Sequence, residues 1–536
     1  MQAKLSEFEA AKQSYSDAIA VYNSALIIAP DDIRALNNKG IALQSLGDLQ
    51  AKLSEFEAAK QSYFEAIAAL NSALHIAPNL IGALLNKGIA LQSLGELQAR
   101  LSEFEAAKQS YSEAIAASNS VLIIAPDDIK ALKSKGNLLQ SLGELQGRLK
   151  EFEAAKQSYS NAIAAYNSTL IIAPDDINVL SNKGIALQSL SELQAGLSEF
   201  KAAKQSYFDA IAAYNSALII APDDSRRLHN KGNALQSLGE LQARLSEFEA
   251  AKQSYSEAIA AYNSVLLVAP DYIDALINKG NALRSLGKLQ AKLSEFEAAK
   301  QSYSDAIAVY NSVLHIAPDD YYALKNKGIA LLKLGDLQAK LSKFEAAKQS
   351  YFEASAAYNS ALIIAPDDNY ALNNKGIALQ SLGDLQAQLS EFEGAKQSYF
   401  DAIATYNSAL LIAPDDNFIL SIKGYALQSL GDLQAELSEF EGAKQSYFDA
   451  IAAFNSALII APDEIYALNN KGIALQSLGD LQEKLFDRQE ALKNWQEALE
   501  MFNRYLAIAP NNDWVRNMRD SLQEYLDNLG EDTVSS

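Results

Sequence analysis

The prolines of this 536-residue chain recur at one fixed interval of 48 residues, with no insertion or deletion between copies. They are Pro30, Pro78, Pro126, Pro174, Pro222, Pro270, Pro318, Pro366, Pro414, Pro462 and Pro510. A repeat of this length forms one supersecondary unit that cannot bury its apolar face alone. The sequence therefore predicts an array of stacked units that share a continuous core.

One copy, residues 31–78, has the pattern of two amphipathic helices. In its first half, leucines recur at steps of three and four residues from Leu36 to Leu53, which is typical of a helix with one buried face. Asp32 stands just before this run and is a suitable N-cap, because its carboxylate can accept hydrogen bonds from the free amides of the first turn. The second half continues with the same apolar spacing, so each copy predicts two antiparallel helices.

The boundary between the two helices has two candidate positions. Ser54 and Glu57 match a capping box, which predicts that the second helix begins there. The alternative is Gly47, a residue type that often ends a helix. We favour Ser54, because the apolar pattern continues past Gly47 and Ser191 replaces this glycine in another copy. The second helix ends before Pro78, which lacks the amide needed to continue it.

The predicted fold is all-α, a right-handed α-solenoid or superhelix of stacked antiparallel helix pairs. We expect residues 1–30 to be an incomplete repeat that has only its second helix, and residues 31–510 to form ten helix-pair repeats. Residues 511–530 predict a C-terminal capping helix, and residues 531–536 a disordered tail. Because the chain opens inside a repeat, we expect either a fragment of a longer array or a first helix without a cap.

Composition and charge exclude several classes of function. The chain has no cysteine and only three histidines, which leaves no thiolate chemistry and little for imidazole ligands. A net charge of −21 argues against binding to nucleic acid, which requires a basic surface. No apolar run is long enough for a signal peptide or a membrane span, so we expect a cytoplasmic protein.

Paired glutamates recur at nearly every second-helix start, where they complement the helix dipole. We therefore predict no enzyme activity, no cofactor and no metal.

The unit resembles the tetratricopeptide repeat. The residues that carry the resemblance are Leu36, Lys39, Gly40, Leu43, Ala66, Leu70, Ala73 and Pro78. The chain departs from the family in its lysine before the glycine, in leucine at two positions usually held by rings, and in its period, which is about 34 residues in that family. Seven more residues in each helix would add about two turns and keep the apolar faces nearly in phase. The resemblance covers essentially the whole chain and implies a protein- or peptide-binding module with a concave surface lined by the first helices.

Three positions vary among copies that are otherwise nearly identical: the fourth, seventh and eleventh residues after each proline. Their spacing places them on one face of the first helix, which we call the variable face. The residues predicted to bind a partner there are Arg34, Lys130, Lys133, Asn137, Arg226, Asn233, Tyr322, Tyr370, Phe418, Tyr425 and Tyr466. The aromatic members are suited to gripping apolar side chains. Drift among recently duplicated copies would produce the same pattern on any exposed face.

Two narrower hypotheses concern smaller sets of residues. Lys133, Asn137, Asn182 and Arg226 stand where the carboxylate clamp of chaperone-docking tetratricopeptide domains would place its ligands, although Asn230 replaces the last basic residue. A position on the second helix alternates between serine and phenylalanine. Its phenylalanines are Phe64, Phe208, Phe352, Phe400 and Phe448. We expect them to pack against a neighbouring helix; on an outer face they would instead mediate lateral assembly.

The sequence thus predicts a scaffold that binds a protein or peptide through the concave face of its first helices. One alternative is a structural spacer or self-assembling rod, for which the aromatic residues would be incidental. Another is the interaction region of a larger multidomain protein whose effector lies outside this chain. We expect no nucleic-acid or membrane partner, and the sequence leaves the oligomeric state open.

Overall fold

A computed structural model describes the backbone of residues 2–534 and the side chains of residues 8–528. The chain divides into two compact units, Met1–Pro270 and Asp271–Ser536. In the first unit the helices are α1 (Gln2–Ile28), α2 (Ile33–Lys52), α3 (Phe56–Ile76), α4 (Ile81–Arg100), α5 (Phe104–Ile124), α6 (Ile129–Arg148), α7 (Phe152–Ile172), α8 (Ile177–Gly196), α9 (Phe200–Ile220), α10 (Ser225–Arg244) and α11 (Phe248–Val268). In the second they are α12 (Ile273–Lys292), α13 (Phe296–Ile316), α14 (Tyr321–Lys340), α15 (Phe344–Ile364), α16 (Asn369–Gln388), α17 (Phe392–Ile412), α18 (Asn417–Glu436), α19 (Phe440–Ile460), α20 (Ile465–Lys484), α21 (Arg488–Ile508) and α22 (Asp513–Val534). The predicted all-α solenoid of helix pairs is confirmed.

The first helix of each repeat begins and ends where the sequence pattern predicts. Asp32 is the N-cap of α2, and its carboxylate accepts from the amides of Arg34 at 2.9 Å and Ala35 at 3.1 Å. The helix then continues through Gly47 to Lys52. The predicted boundary near Ser54 is therefore confirmed, and the alternative at Gly47 is wrong.

The prediction of a capping box at Ser54 is wrong. Ser54 has a φ of 64°, in the left-handed region, and its backbone completes the end of α2 instead of starting α3. Its amide donates to the carbonyl of Ala51 at 3.2 Å, and the amide of Glu55 donates to the carbonyl of Gln50 at 2.9 Å. These two hydrogen bonds define a Schellman motif. Glu55 takes the N-cap position of α3 but makes no side-chain cap.

The core lies between the two helices of each repeat and between neighbouring repeats. Ala59, Ala66 and Leu70 of α3 are fully buried. Leu70 fills the space left by Gly40, where a Cβ would come within 2.6 Å of the leucine Cγ. Small residues at this position therefore permit the close approach of the two helices.

Within each unit the first and second helices differ in their neighbours. Successive first helices contact one another, as α2 with α4 and α14 with α16. Successive second helices make no contact of similar extent among the described residues of either unit. The first helices thus form the more closely packed layer.

The last helix, α22, packs on α21 through Val515 and Leu522, which are buried. The sequence predicts this capping helix over residues 511–530. The helix ends at Val534, so residues 531–534 of the expected disordered tail are helical, and residues 535 and 536 lie outside the described residues. None of the helices in the described part of the chain is long and apolar enough to cross a bilayer.

Candidate binding face of the first helices

The fourth position after each proline is the most exposed part of the variable face. Its side chains lie in the first turn of each first helix, just after the N-cap. In the second unit the exposed fractions are 65% for Tyr322, 47% for Tyr370, 52% for Phe418 and 41% for Tyr466. In the first unit three of the five copies carry an exposed cation there, Arg34, Lys130 and Arg226, and the other two carry Gly82 and Asn178. The two units thus present different chemistry at the same place.

The seventh position is partly buried against the following first helix. Lys133 forms an ion pair with Asp176, the N-cap of α8, with a nitrogen-to-oxygen distance of 2.8 Å. Burial works to raise the pKa of Asp176, but the hydrogen bonds from Lys133 and two backbone amides outweigh it and lower that pKa. Lys325 pairs in the same way with Asp368 at 3.2 Å. These lysines hold neighbouring repeats together.

The eleventh position supports a buried tyrosine in several copies. Asn137 accepts a hydrogen bond from the hydroxyl of Tyr166 at 2.9 Å and one from Asn182 at 3.0 Å. Asn233 accepts from Tyr262 at 2.8 Å. Asn137 and Asn233, both predicted to bind a partner, thus have their carbonyl oxygens engaged inside the fold.

The predicted carboxylate clamp is not assembled for a ligand. Lys133 is paired with Asp176, and Asn137 and Asn182 bond to each other. Only Arg226 among the four residues is exposed. A ligand carboxylate would have to displace these contacts.

Aromatic residues meet on the variable face near the end of the second unit. The rings of Tyr425 and Tyr466 lie 6.4 Å apart between centroids. The ammonium nitrogen of Lys325 lies 4.6 Å from the centre of the Tyr370 ring. Tyr322, Tyr370, Phe418 and Tyr466 stand one per repeat, and we call these four the aromatic ladder.

Sequence reasoning missed a row of carboxylates on the same face, at the eighteenth position after each proline. Asp384 accepts from the hydroxyl of Tyr399 at 2.8 Å, and burial raises the pKa of Asp384 to about 6. Asp432 accepts from Tyr447 at 2.7 Å. The row carries aspartate or glutamate in most copies and so resembles ordinary solvated helix charge. The signal that could have revealed it is the run of aspartates from Asp336 to Asp480, which follows a run of glutamates from Glu96 to Glu240.

The alternating phenylalanines of the second helices do not pack against a neighbouring helix as predicted. Their exposed fractions range from 45% for Phe448 to 61% for Phe352. Each lies one residue after the tyrosine that fills the core, such as Tyr351, and therefore points away from it. That prediction is wrong, because a step of one residue turns the side chain by about 100° around the helix.

Comparison with known proteins gives a family match over part of the chain. A family model described as "Tetratricopeptide repeat" matches residues 237–303, 286–351 and 332–399. Among solved structures, the chain is similar to BtubC (BKLC) from P. vanneervenii, with 15% identity, a TM-score of 0.35, and coverage of 47% of this chain and 90% of that chain. It is also similar to a tetratricopeptide repeat protein from Parabacteroides merdae ATCC 43184, with 15% identity, a TM-score of 0.32, and coverage of 63% and 98%. No curated protein matches the chain.

In the described residues, no three histidine, cysteine, aspartate or glutamate side chains are grouped to hold a metal ion.

Proposed function

We propose that this chain, which matches the tetratricopeptide-repeat family model within residues 237–399, is a non-enzymatic scaffold that binds a protein or peptide along the variable face of its first helices. The observation that carries the proposal is the aromatic ladder of the second unit, whose four rings are 41% to 65% exposed. Tyrosine and other aromatic residues are enriched among the side chains that dominate binding energy. The ladder therefore supplies apolar anchors at regular intervals.

The packing of the helices supports the choice of face. First helices contact one another within each unit, whereas second helices do not do so to the same extent in the described residues. A layer with closer neighbours lies on the inner side of a curved stack. This supports the first helices as the lining of a concave surface, as in the family at large.

The proposed site narrows the set of residues suggested by the sequence. Lys133, Asn137 and Asn233 are engaged within the fold, so we assign them to the support of the face. The exposed cations of the first unit, Arg34 and Arg226 among them, give that unit a polar character. We place the apolar anchors in the second unit.

The test replaces ladder residues and compares the proteins captured from the source cell. One variant combines Tyr370→Ala, Phe418→Ala and Tyr466→Ala. The matched control combines Phe352→Ala, Phe400→Ala and Phe448→Ala, which removes three exposed rings of the same unit from the second helices. We expect the ladder variant to lose partners that the wild type and the control retain. An identical partner list for all three proteins would overturn the proposal.

The exposed phenylalanines of the second helices favour one alternative, a self-assembling rod. If that alternative holds, the wild type self-associates with increasing concentration in analytical ultracentrifugation, and the Phe352, Phe400 and Phe448 variant does not. If both proteins sediment as monomers at all concentrations, the self-assembling rod is excluded.

A further inference from the structure

An acidic and aromatic cluster lies on the variable face of α16, α18 and α20. It consists of Asp384, Tyr425, Gln428 and Tyr466. The charge of Asp384 is the largest cause that raises the pKa of Tyr425, and it also contributes to the raised pKa of Tyr466 after burial and Tyr425. The two rings lie 6.4 Å apart between centroids, and the charge of Asp384 acts on both hydroxyl groups.

The carboxylate of Asp384 has no cation beside it among the described residues. Its oxygen accepts from the hydroxyl of Tyr399, and burial is the main influence on its charge. In the other first helices except α8, the last turn carries a lysine or arginine, as at Arg100 and Arg244. At this point of the array that residue is Gln388 in α16 and Glu436 in α18, so neither helix has a basic residue in its last turn.

A second observation is independent of the charges. The side chain of Gln428 is 6% exposed, and its Oε1 atom has no hydrogen-bond partner. In several other repeats this oxygen accepts from the hydroxyl of a core tyrosine, as Gln380 does from Tyr406 at 3.1 Å, whereas the oxygen of Gln476 is unpartnered like that of Gln428. In the repeat of α18 and α19 the core residue is Phe454, which has no hydroxyl. A buried acceptor therefore lies on α18 without its donor, in the same helix as Tyr425.

We propose that this cluster binds the guanidinium group of an arginine side chain carried by the bound protein or peptide segment. The proposal deepens the function proposed above and rests on it. A guanidinium ion is planar, stays charged and carries five N–H donors, so it can stack on a tyrosine ring while it donates to several acceptors. Asp384 would accept a charged hydrogen bond and Gln428 a second one. A lysine ammonium is a compact point charge and fits the rings and both acceptors less well.

The experiment uses the full chain with 3-fluorotyrosine in place of Tyr425 and follows its fluorine resonance. The probes are the capped amino acids N-acetyl-arginine amide, N-acetyl-lysine amide and N-acetyl-citrulline amide, titrated at fixed ionic strength. Citrulline has the shape of arginine without its charge. We expect a saturable shift with arginine, and an affinity at least tenfold lower for citrulline.

Two variants supply the matched comparison. Asp384→Asn removes the charge and keeps an acceptor for Tyr399. Asp48→Asn makes the same change at the equivalent position of the first unit, where Asp48 accepts from Tyr63 at 2.8 Å. We expect Asp384→Asn to weaken arginine binding at least tenfold and Asp48→Asn to leave it unchanged, with unchanged helical circular dichroism in both.

The outcomes separate this inference from the proposed function. Equal shifts with arginine and citrulline, or equal affinities in the two aspartate variants, overturn the arginine site. Loss of partners in the ladder variant together with such a result would leave the proposed function standing. An arginine response together with an unchanged partner list would overturn the proposed function instead.

Discussion

One residue in each repeat, at the connection between the two helices, holds a backbone conformation that its side chain disfavours. Ser54 has a φ of 64°, and the equivalent residues of the other copies have φ values from 57° at Ser342 to 64° at Phe486. For a residue with a Cβ atom, the left-handed conformation costs roughly 1–2 kcal/mol. The two Schellman hydrogen bonds offset this cost, which is why the connection persists without glycine.

Replacing this serine by glycine should stabilise the protein. We expect Ser54→Gly to raise the free energy of unfolding by about 0.5–1 kcal/mol, because glycine adopts positive φ without steric cost but loses more entropy on folding. Urea denaturation of the full chain measures the change. The control is Ser45→Gly, within α2, which should lower stability because glycine is a poor residue inside a helix. A loss of stability in Ser54→Gly would contradict the account.

The capping-box prediction failed at this same residue for a physical reason. A serine followed three residues later by a glutamate matches the start of a helix by residue type alone. The connection between α2 and α3 has only residues 53–55, so Ser54 must first end the preceding helix in a left-handed turn. Residue types predicted the position of the boundary, but they do not specify whether the boundary residue ends the first helix or begins the second.

Two core tyrosines in the first unit differ only in the partner of the hydroxyl group. Tyr166 donates to Asn137, whereas the hydroxyl of Tyr214, in a copy with Ile185 at the same position, is buried without a partner. We expect Tyr166→Phe to lower the free energy of unfolding by about 1 kcal/mol, and Tyr214→Phe to raise it by a similar amount, since an unmade buried hydrogen bond is costly. Thermal denaturation of both variants provides the test. If both variants lost the same free energy of unfolding, the hydrogen bond from Tyr166 to Asn137 would not be what distinguishes the two repeats.

The buried carboxylate of Asp384 should make stability depend on pH. Its pKa is raised from 3.8 to about 6, so the folded protein holds the proton more tightly than the unfolded chain does. Stability contributed by the protonated form is therefore lost as pH rises from about 4 to 6. The tyrosines whose pKa values its charge helps to raise stay neutral in this range; they are Tyr351, Tyr399, Tyr406, Tyr425 and Tyr466.

Asp384→Asn should remove this dependence. At pH 7 we expect the variant to be more stable than the wild type by about 1–2 kcal/mol, a value reduced from the full linkage energy because the side chain is partly solvated. Below about pH 4 the difference should vanish, since the wild-type carboxyl is then protonated in both states. Denaturant unfolding at pH 4 and pH 7 measures it. If Asp384→Asn raised the free energy of unfolding equally at pH 4 and pH 7, burial would not raise the pKa of Asp384.

At the scale of helices, the space around the glycine at the tenth position after each proline depends on which side chain of the second helix faces it. At Gly136 an added Cβ would lie 2.4 Å from the Tyr166 ring. At Gly88 the facing residue is Ser118, and the nearest atom would be 3.8 Å away. The apolar periodicity predicted which faces meet, because it follows from helix geometry. It could not predict this difference in spacing, which depends on the pairing of two residues 30 apart in the sequence.

The two glycines should therefore respond in opposite ways to alanine. We expect Gly88→Ala to raise the free energy of unfolding by about 0.5–1 kcal/mol, as alanine is the better helix former and space is available. Gly136→Ala should lower it by about 1–3 kcal/mol, because the added methyl group forces the tyrosine ring to move. Chemical denaturation of the two single variants gives the comparison, and stabilisation by Gly136→Ala would refute the packing argument.

At the scale of the molecule, repeats are joined mainly to their immediate neighbours. A lysine of one second helix forms an ion pair with the glutamate just before the next second helix, such as Lys60 with Glu103 at 2.7 Å in the first unit and Lys348 with Glu391 in the second. The hydrogen bond to Glu103 raises the pKa of Lys60. Contacts of this kind, together with the shared core, make stability approximately a sum of repeat and interface contributions. A local change should therefore have effects that fade within a few repeats.

The C-terminal helix offers a test of this locality. Leu522 of α22 is buried against the last repeat, whose core contains Trp495 and Phe502. We expect Leu522→Ala to lower the local free energy of opening by about 2–4 kcal/mol, because it leaves a cavity in that interface. Amide hydrogen exchange should then become faster in α20, α21 and α22, while α12 to α15 in the same unit keep their wild-type rates. If exchange instead became faster by the same factor throughout the unit, the repeats of that unit would unfold as a single cooperative body and not as a chain of coupled neighbours.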